Sequence, residues 1–379
     1  MTFDKESYAA LCKLQTVCLR QNIPFASYRL PLNREIITVV QHHSMPERLK
    51  SLNDLHEKTG FVVSPFTESP AHETFFLQPD CVFFSNNIAE IYIDKLAAND
   101  RFIEIEKNKN TTKTTTPEEF IGNVNKAVLA MKAAEFQKVV LSKARVEQLP
   151  DDFQPEQFFL TLCRKYPHAF VYIMQLPEVG CWIGATPEPL LTIENGTVKT
   201  VSLAGTQVAT ELETEDYRWS SKEIEEQGIV TNFIEQTLRS LHIADITRLG
   251  PENYRAANLI HLKTAFEFPL AHIQNCFSDL LKALHPTPSV GGLPKDEARN
   301  FILTNEQHDR GYYTGFFGPV NINEKSAVYV NLRCLQLFDN NFVLYSGAGI
   351  TSSSVAEKEW EETDNKMLTL MNVMMNSNP

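Results

Sequence analysis

Apolar positions along the chain repeat with two periods. Phe120, Val124, Val128 and Met131 recur at helical spacing, so residues 117–134 read as an amphipathic helix. Its start is well marked: Thr116 is a candidate N-cap, Pro117 takes the first helical position, and Glu118 and Glu119 occupy the turn where the helix dipole favours anions. Further helical patterns span about 4–21, 87–97, 218–242 and 355–375. Short β-rich runs lie between them. Phe61–Val63 and Cys81–Phe84 precede the marked helix; Lys138–Ser142, Phe170–Leu176, Cys181–Ala185, Asn258–Phe268, Tyr312–Val320, Ala327–Leu337 and Phe342–Ser346 follow it. Leu190–Ile193 and Thr197–Leu203 flank Asn195-Gly196, a strong hairpin signal. Strands joined by short turns predict antiparallel sheets with helices packed outside, an α/β chain of the α+β type, long enough for one large domain or two ordinary ones. The polar stretch 107–117 marks the main boundary, between residues 1–106, which carry no chemical motif, and 117–372, which carry all of them.

Composition narrows the classes. With 43% apolar and 22% charged residues in 379, the chain is an ordinary globular one. Its net charge of −12 repels phosphate backbones, so no nucleic-acid partner is expected; a small anion remains compatible, because a local cluster or a metal reverses the field. The seven cysteines are irregularly spaced with no C-x-x-C, which disfavours a disulfide framework or a zinc site and predicts a reducing, cytoplasmic setting. The charged N-terminus lacks an apolar region that would make it a secretory signal, and no 18-residue apolar run exists to span a membrane.

Four features carry candidate chemistry. Glu223 with Glu226 and Glu359 with Glu362 each form an E-x-x-E pair on one helix face. Each pair reads either as a solvated acidic face or, if the two helices meet, as hard oxygen ligands for Mg²⁺. Glycines at Gly205, Gly291-Gly292, Gly347 and Gly349 sit at the ends of expected strands, as tight turns or as places where backbone N–H groups approach an anion. Glu188 stands between Pro187 and Pro189, which fix the backbone around it: a polar turn, or a stiffly presented general acid. Lys138 opens an otherwise apolar strand, either snorkelling to solvent or, in a closed cleft, serving as a base.

These pieces occur in a recognisable order. Lys138–Ser142, Gly184–Glu188, Ser202–Thr206, Ser221–Glu226, His261-Leu262, His285–Pro288, Asp309–Gly311, Asn331–Arg333, Ser346–Ile350 and Glu359–Thr363 with Asn365-Lys366 resemble the motifs of the chorismate-utilising family, over about residues 117–372. That family comprises isochorismate, salicylate, anthranilate and aminodeoxychorismate synthases. The resemblance implies one large fold of antiparallel sheets stacked between outer helices, chorismate as substrate and Mg²⁺ as cofactor. By position it implies Glu226 and Glu362 as direct metal ligands and Glu223 and Glu359 as ligands through water. It places Tyr313, Arg333 and Lys366 at the substrate carboxylates, with His261 also at the substrate, and the N–H groups of Gly205, Gly347 and Gly349 nearby.

Two positions separate the branches. Lys138 stands where water-using members carry lysine and anthranilate synthases carry glutamine, and Ala204 stands where aminodeoxychorismate synthases carry a nucleophilic lysine. The resemblance therefore implies a water nucleophile, Lys138 as base and Glu188 as acid, and a monomer with no glutaminase subunit. His285–Pro294 and Asp309–Tyr313 favour isochorismate synthase, serving menaquinone or siderophore biosynthesis; salicylate synthase is the alternative. Gln207 and Gln227 depart from the arginine and histidine usual at those places.

Overall fold

The computed structural model describes residues 8–375 apart from 56, 86, 99–110, 210–213, 257–258 and 274–275. The N-terminal tip, the start of the first expected helix, the first four residues of the polar stretch 107–117 and Asn258 lie outside them.

Two antiparallel sheets form the frame. The first runs, edge to edge, β14 (Gly292–Leu293), β7 (Lys138–Gln148), β18 (Asn341–Ile350), β17 (Cys334–Leu337), β9 (Gly180–Thr186), β8 (Phe170–Leu176), β1 (Phe25–Arg29), β2 (Ile37–Val40) and β6 (Cys81–Phe84). The second runs β12 (Thr247–Ala256), β13 (Leu259–Pro269), β11 (Thr197–Val208), β10 (Pro189–Glu194), β16 (Ser326–Val330), β15 (Phe316–Val320), β4 (Gly60–Ser64), β5 (Phe75–Leu77) and β3 (Glu47–Arg48). Strands from before the polar stretch thus finish both sheets at the same end. Between the sheets lies a core rich in aromatic rings, among them Tyr28, Phe61, Phe170, Tyr172, Trp182, Phe317 and Tyr329.

Helices cover the outer faces. On the first sheet, α1 (Ala9–Arg20), α4 (Pro155–Lys165) and α8 (Ala356–Met375) bury Leu11, Leu14, Phe158, Phe159, Leu162, Leu370 and Val373 against β1, β8, β9 and β18. On the second, α5 (Ser221–Ser240) and α6 (Phe277–Leu284) bury Val230, Ile234, Leu280 and Leu281. α2 (Glu90–Ala97) packs on α1, while α3 (Pro117–Lys132) and α7 (Lys295–Asn305) close over β7. The expected start of α3 is present as a capping box: the Glu119 N–H donates to Thr116 Oγ1 (3.2 Å) and the Thr116 N–H to the Glu119 carboxylate (2.8 Å). Asn195 (φ 50°) and Gly196 (φ 73°) make the expected hairpin turn between β10 and β11.

Three differences matter for the site. The run Ala327–Leu337 is not one strand: it breaks at Asn331–Arg333, and β16 and β17 belong to different sheets. Arg333 turns the chain with φ 48°. Tyr312–Gly315 is a turn ahead of β15. The Phe342 strand continues to Ile350, so Gly347 and Gly349 lie inside β18 and not at its end. Among the described residues, no helix is long and apolar enough to cross a membrane, and all seven cysteines are free.

Candidate active site

The chain passes between the sheets at two neighbouring places, β9 to β10 and β16 to β17. They are tied together: the Ala185 N–H donates to the Arg333 carbonyl (3.0 Å), the Val330 N–H to the Glu188 carbonyl (3.0 Å), and the Thr186 hydroxyl to the Val330 carbonyl (2.7 Å). Glu188 and Arg333 therefore stand on a doubly fixed crossing at the mouth of the inter-sheet space. A cavity of about 70 Å³ opens there. Glu188, Gly205, Glu226, His261, Tyr313, Arg333, Gly347, Gly349 and Lys366 all line it, from both sheets and from α5 and α8.

Glu188 is 4% exposed, and its carboxyl is pushed up to about 7. Burial drives that shift, against the opposing pull of Lys138, hydrogen bonding with Ser289, and the cations Lys366 and Arg333. Lys138 is fully buried at the start of β7, with Nζ 2.9 Å from Glu226 Oε1. Burial raises the Glu226 carboxyl, but Lys138, then Lys366 and Lys222, outweigh it and hold the group below its usual range. A buried acid that keeps its proton near neutrality thus lines the cavity, and a buried amine stands behind it, paired with the lining carboxylate of Glu226.

The remaining carboxylates come from α5, packed on β11, and α8, packed on β18. Three glutamates each face a lysine: Lys138 on Glu226, Lys222 on Glu359 at 2.5 Å, and Lys366 on Glu362 at 2.7 Å. Glu223 accepts the Ser220 N–H at 2.7 Å, capping α5. Glu359 is 1% exposed; burial and Glu362 raise its carboxyl against the pull of Lys222. Among the described residues the group of His, Cys, Asp or Glu with ligand atoms all within 4.8 Å is His42, His43 and Asp80, at the other end of the first sheet. The four glutamates are therefore not closed into a coordination shell: Glu226, Glu359 and Glu362 each meet a lysine nitrogen, and Glu223 caps α5. Their chemistry still fits Mg²⁺: all-oxygen donors with excess negative charge that calls for cations, for an ion that uses one or two carboxylates and keeps its waters.

The glycines serve by shape and by their carbonyls. A Cβ on Gly349 would lie 2.2 Å from Glu226 Oε1 and 3.1 Å from Lys138 Cε, so the ion pair needs a bare backbone there. The Gly347 carbonyl accepts from Lys366 Nζ (2.8 Å). The Gly205 carbonyl lies 2.9 Å from His261 Nδ1, so that nitrogen carries the proton and donates. Burial lowers the His261 imidazole to about 3, helped by the nearby Arg333, leaving the ring neutral with Nε2 buried and unpartnered as an acceptor. Arg333 donates to the Lys366 carbonyl (3.3 Å) and Thr369 Oγ1 (3.2 Å); burial lowers it to about 10, which leaves it charged near neutrality. Tyr313 stacks on Tyr345 at 5.2 Å.

Other motif residues act as the wall. Arg310 donates to the Val140 and Val290 carbonyls (2.6 and 3.0 Å) and forks onto Glu306 (2.6 and 2.8 Å), locking β7 to the 287–291 turn. Ser289 joins that turn to the Leu203 carbonyl (3.1 Å). Gln227 donates to Ser202 Oγ (2.9 Å) and Thr264 Oγ1 (3.2 Å), filling a structural place behind Glu226. Gln207 donates to the Arg218 carbonyl (2.8 Å). Sequence reasoning overlooked Lys222 and Ser289, although both lie inside quoted motifs; the signal was a lysine directly before an E-x-x-E pair.

The sequence pattern of the family described as "chorismate binding enzyme" matches residues 51–375. The chain is 28% identical over 240 residues to the vibriobactin-specific isochorismate synthase of Vibrio cholerae, covering 62% of this chain and 61% of that protein. It is also 28% identical over 271 residues to anthranilate synthase component 1 of Aquifex aeolicus, covering 69% of this chain and 54% of that one. The match thus spans less than two thirds of either relative. Its fold is shared with MenF, the menaquinone-specific isochorismate synthase from Escherichia coli: TM-score 0.75 at 22% identity, covering 99% of this chain and 92% of that structure.

Proposed function

We propose that this chain, which belongs to the chorismate-binding enzyme family, is a Mg²⁺-dependent isochorismate synthase acting without a glutaminase partner. The observation that carries the reading is Glu188 on the cavity wall, its carboxyl raised to about 7, together with buried Lys138 held directly behind that wall on Glu226. Isochorismate- and anthranilate-forming relatives match this chain at equal identity, so overall similarity does not choose the nucleophile; lysine at 138 favours water, because an amine takes a proton and an amide does not.

Glu226 and Glu362 would hold the ion directly, and Glu223 and Glu359 through water; bound Mg²⁺ supplies positive charge at the ring carboxylate on C1. Lys138 takes a proton from water, whose oxygen forms a bond to C2. The double bonds shift, the C4–O bond breaks, and Glu188 delivers its proton to the departing hydroxyl, which leaves as water. One water enters and one leaves, so the product is an isomer. Arg333, Tyr313 and Lys366 hold carboxylates of the substrate, and the open Nε2 of His261 accepts from a substrate hydroxyl.

Chromatography of the products from chorismate and Mg²⁺ tests this. An isochorismate–chorismate mixture reached from either side is expected. Enzyme-dependent release of salicylate and pyruvate in equal amounts would make the chain a salicylate synthase instead.

A further inference from the structure

The strand that opens with Lys138 holds a second buried lysine on its opposite face. Side chains alternate along a strand: Val140 of β7 lines the inner cavity, while Val139 and Leu141 pack outward with Phe120 of α3 and Ala356 of α8. Lys143 shares the outward face and is buried there. Its ammonium meets α8 twice, donating to Asp364 Oδ1 at 2.6 Å and lying 3.2 Å from the centre of the Trp360 ring. A buried ammonium is costly to leave unpaired, which ties it to both groups. Ser346, directly across from Lys143 on β18, donates its hydroxyl to the Thr363 carbonyl at 2.8 Å. Phe120 meets the Trp360 ring edge-on at 5.7 Å. The two strands thus grip α8 at Trp360, Thr363 and Asp364, within the stretch that also carries Glu359 and Glu362.

Successive residues of a helix stand roughly 100° apart around its axis, so Trp360 and Asp364 lie roughly 100–140° from Glu359 and roughly 160° from Glu362. Holding that side of α8 fixes its rotation, and the rotation decides where the glutamates point. We propose that Lys143 is a positioning residue for the metal site: it sets the roll of α8 on β7 and β18, and so holds Glu359 and Glu362 toward α5, where Glu359 meets Lys222. The inference rests on the proposed four-glutamate reading of that site. Lys143 acts through the helix, because its side chain is turned away from the cavity that Val140 lines.

Calorimetric titration of Mg²⁺ into the parent and into Lys143→Met, each held below its own melting temperature, tests this. Charge alone predicts tighter binding in the variant, because a cation near the ion is gone. Loss of the roll predicts the reverse: affinity about tenfold weaker, the lower end for residues that orient a metal's ligands. Lys143→Arg keeps the charge, stacks on the indole and forks onto the carboxylate, so it should restore the parent's affinity. Ser346→Ala changes no charge and should weaken Mg²⁺ binding about threefold, the scale of one hydrogen bond. In turnover, the Mg²⁺ concentration needed for activation should rise more than kcat at saturating Mg²⁺ falls. Affinity within twofold of the parent, or tighter, in folded Lys143→Met overturns the inference even if the variant melts lower; Lys143 then serves stability alone. If Lys143→Met does not fold, Ser346→Ala decides, and parent-like Mg²⁺ affinity in it overturns the grip. A parent that binds no Mg²⁺ overturns the four-glutamate reading, and this inference with it.

Discussion

The same two sheets enclose opposite contents at their two ends. Toward β1, β2, β4 and β5 the space between them is filled with rings: Tyr28 lies 5.7 Å from Phe61 and 5.9 Å from Phe170, and Phe170 stacks on Tyr329 at 4.4 Å. Toward β7, β18, β11 and β13 it holds Glu188, Glu226, Arg333 and Lys366 around a cavity, with Lys138 behind Glu226. Burial of rings is favourable in itself, whereas each buried charge costs free energy unless it is paired. The ring-filled end can therefore bear the cost of the charged end, and its rigidity holds acid, amine and carboxylates in place. If so, mutations at the two ends should separate stability from activity.

The largest separation is expected between Glu362→Gln and Phe61→Ala. Glu362 is partly exposed and belongs to the proposed metal ligands, so its amide should abolish Mg²⁺-dependent turnover while the melting temperature stays near the parent's. Phe61 is fully buried in the ring-filled end; its truncation should cost about 3–5 kcal/mol. The protein that remains folded should keep the parent's kcat. Thermal melts and turnover normalised to folded protein check both. An inactive Phe61→Ala that is still folded would mean that the ring-filled end does more than support.

Next in size are the acid and the base. Lys138→Ala and Glu188→Gln should each lower kcat by at least about 10²-fold. The Glu188 carboxyl is raised to about 7, so the acid is lost, and kcat/KM should fall, as pH rises past that value. His261, lowered to about 3, adds no limb between pH 5 and 9. The stability sign follows from the same shift. A carboxyl raised on folding favours the folded state fully below its ordinary 4.5, and that contribution is lost as pH rises through about 7. Glu188→Gln should therefore gain stability over the parent between pH 5 and 8 while losing turnover. Denaturant midpoints across that range measure it; an unchanged difference would place the Glu188 titration elsewhere.

How much of this was legible in the sequence follows the two ends. The helix start at Thr116–Glu119 and the hairpin at Asn195-Gly196 were readable because local backbone chemistry decides them. The candidate site residues were readable because their types and order match a family pattern; most line one cavity, while Lys138, Glu223, Glu359 and Glu362 stand behind or beside it. The break at Asn331–Arg333 was not, since Ala327–Leu337 is a plain β-rich run, and only the position of the two sheets turns it. Nor were the lysine partners of the glutamates. Helical spacing brings Glu362 and Lys366 together, but Lys222 with Glu359 and Lys138 with Glu226 are joined only by tertiary packing. The shape role of Gly349 was hidden for the same reason.

Two glycines with nearly equal clearance sharpen the contrast. A Cβ on Gly60, in the ring-filled end, would meet the Leu77 carbonyl oxygen at 2.2 Å, and one on Gly349 would meet Glu226 Oε1 at 2.2 Å. The first obstacle is backbone in a sheet, and the second is the tip of a movable side chain. Gly60→Ala should therefore destabilise the fold with activity per folded molecule retained. Gly349→Ala should leave stability nearly intact but push the Glu226 carboxylate off Lys138, lowering kcat roughly tenfold for a displaced catalytic pair, within the range for sub-ångström misplacement. Equal melting losses in the two variants would remove the distinction.

The smallest effect expected is at Lys222. Its ammonium sits 2.5 Å from Glu359 and is held above its usual range: burial lowers it, but Glu359, then Glu362 and Glu226, more than compensate. It thus supplies, in the absence of a divalent ion, part of the positive charge that three glutamates demand. Replacing it with methionine keeps the apolar stem and removes the charge. Glu359, 1% exposed, then loses its counter-ion, and an ion that binds the folded cluster no longer competes with the lysine. Lys222→Met should therefore melt lower than the parent without metal and regain most of that loss in Mg²⁺, because a ligand that binds only the folded state stabilises it. Calorimetric titration should give several-fold tighter Mg²⁺ binding. Weaker binding would make Lys222 a residue that positions Glu359 for the ion, and the charged end would then depend on its lysines with the metal bound as well as without it.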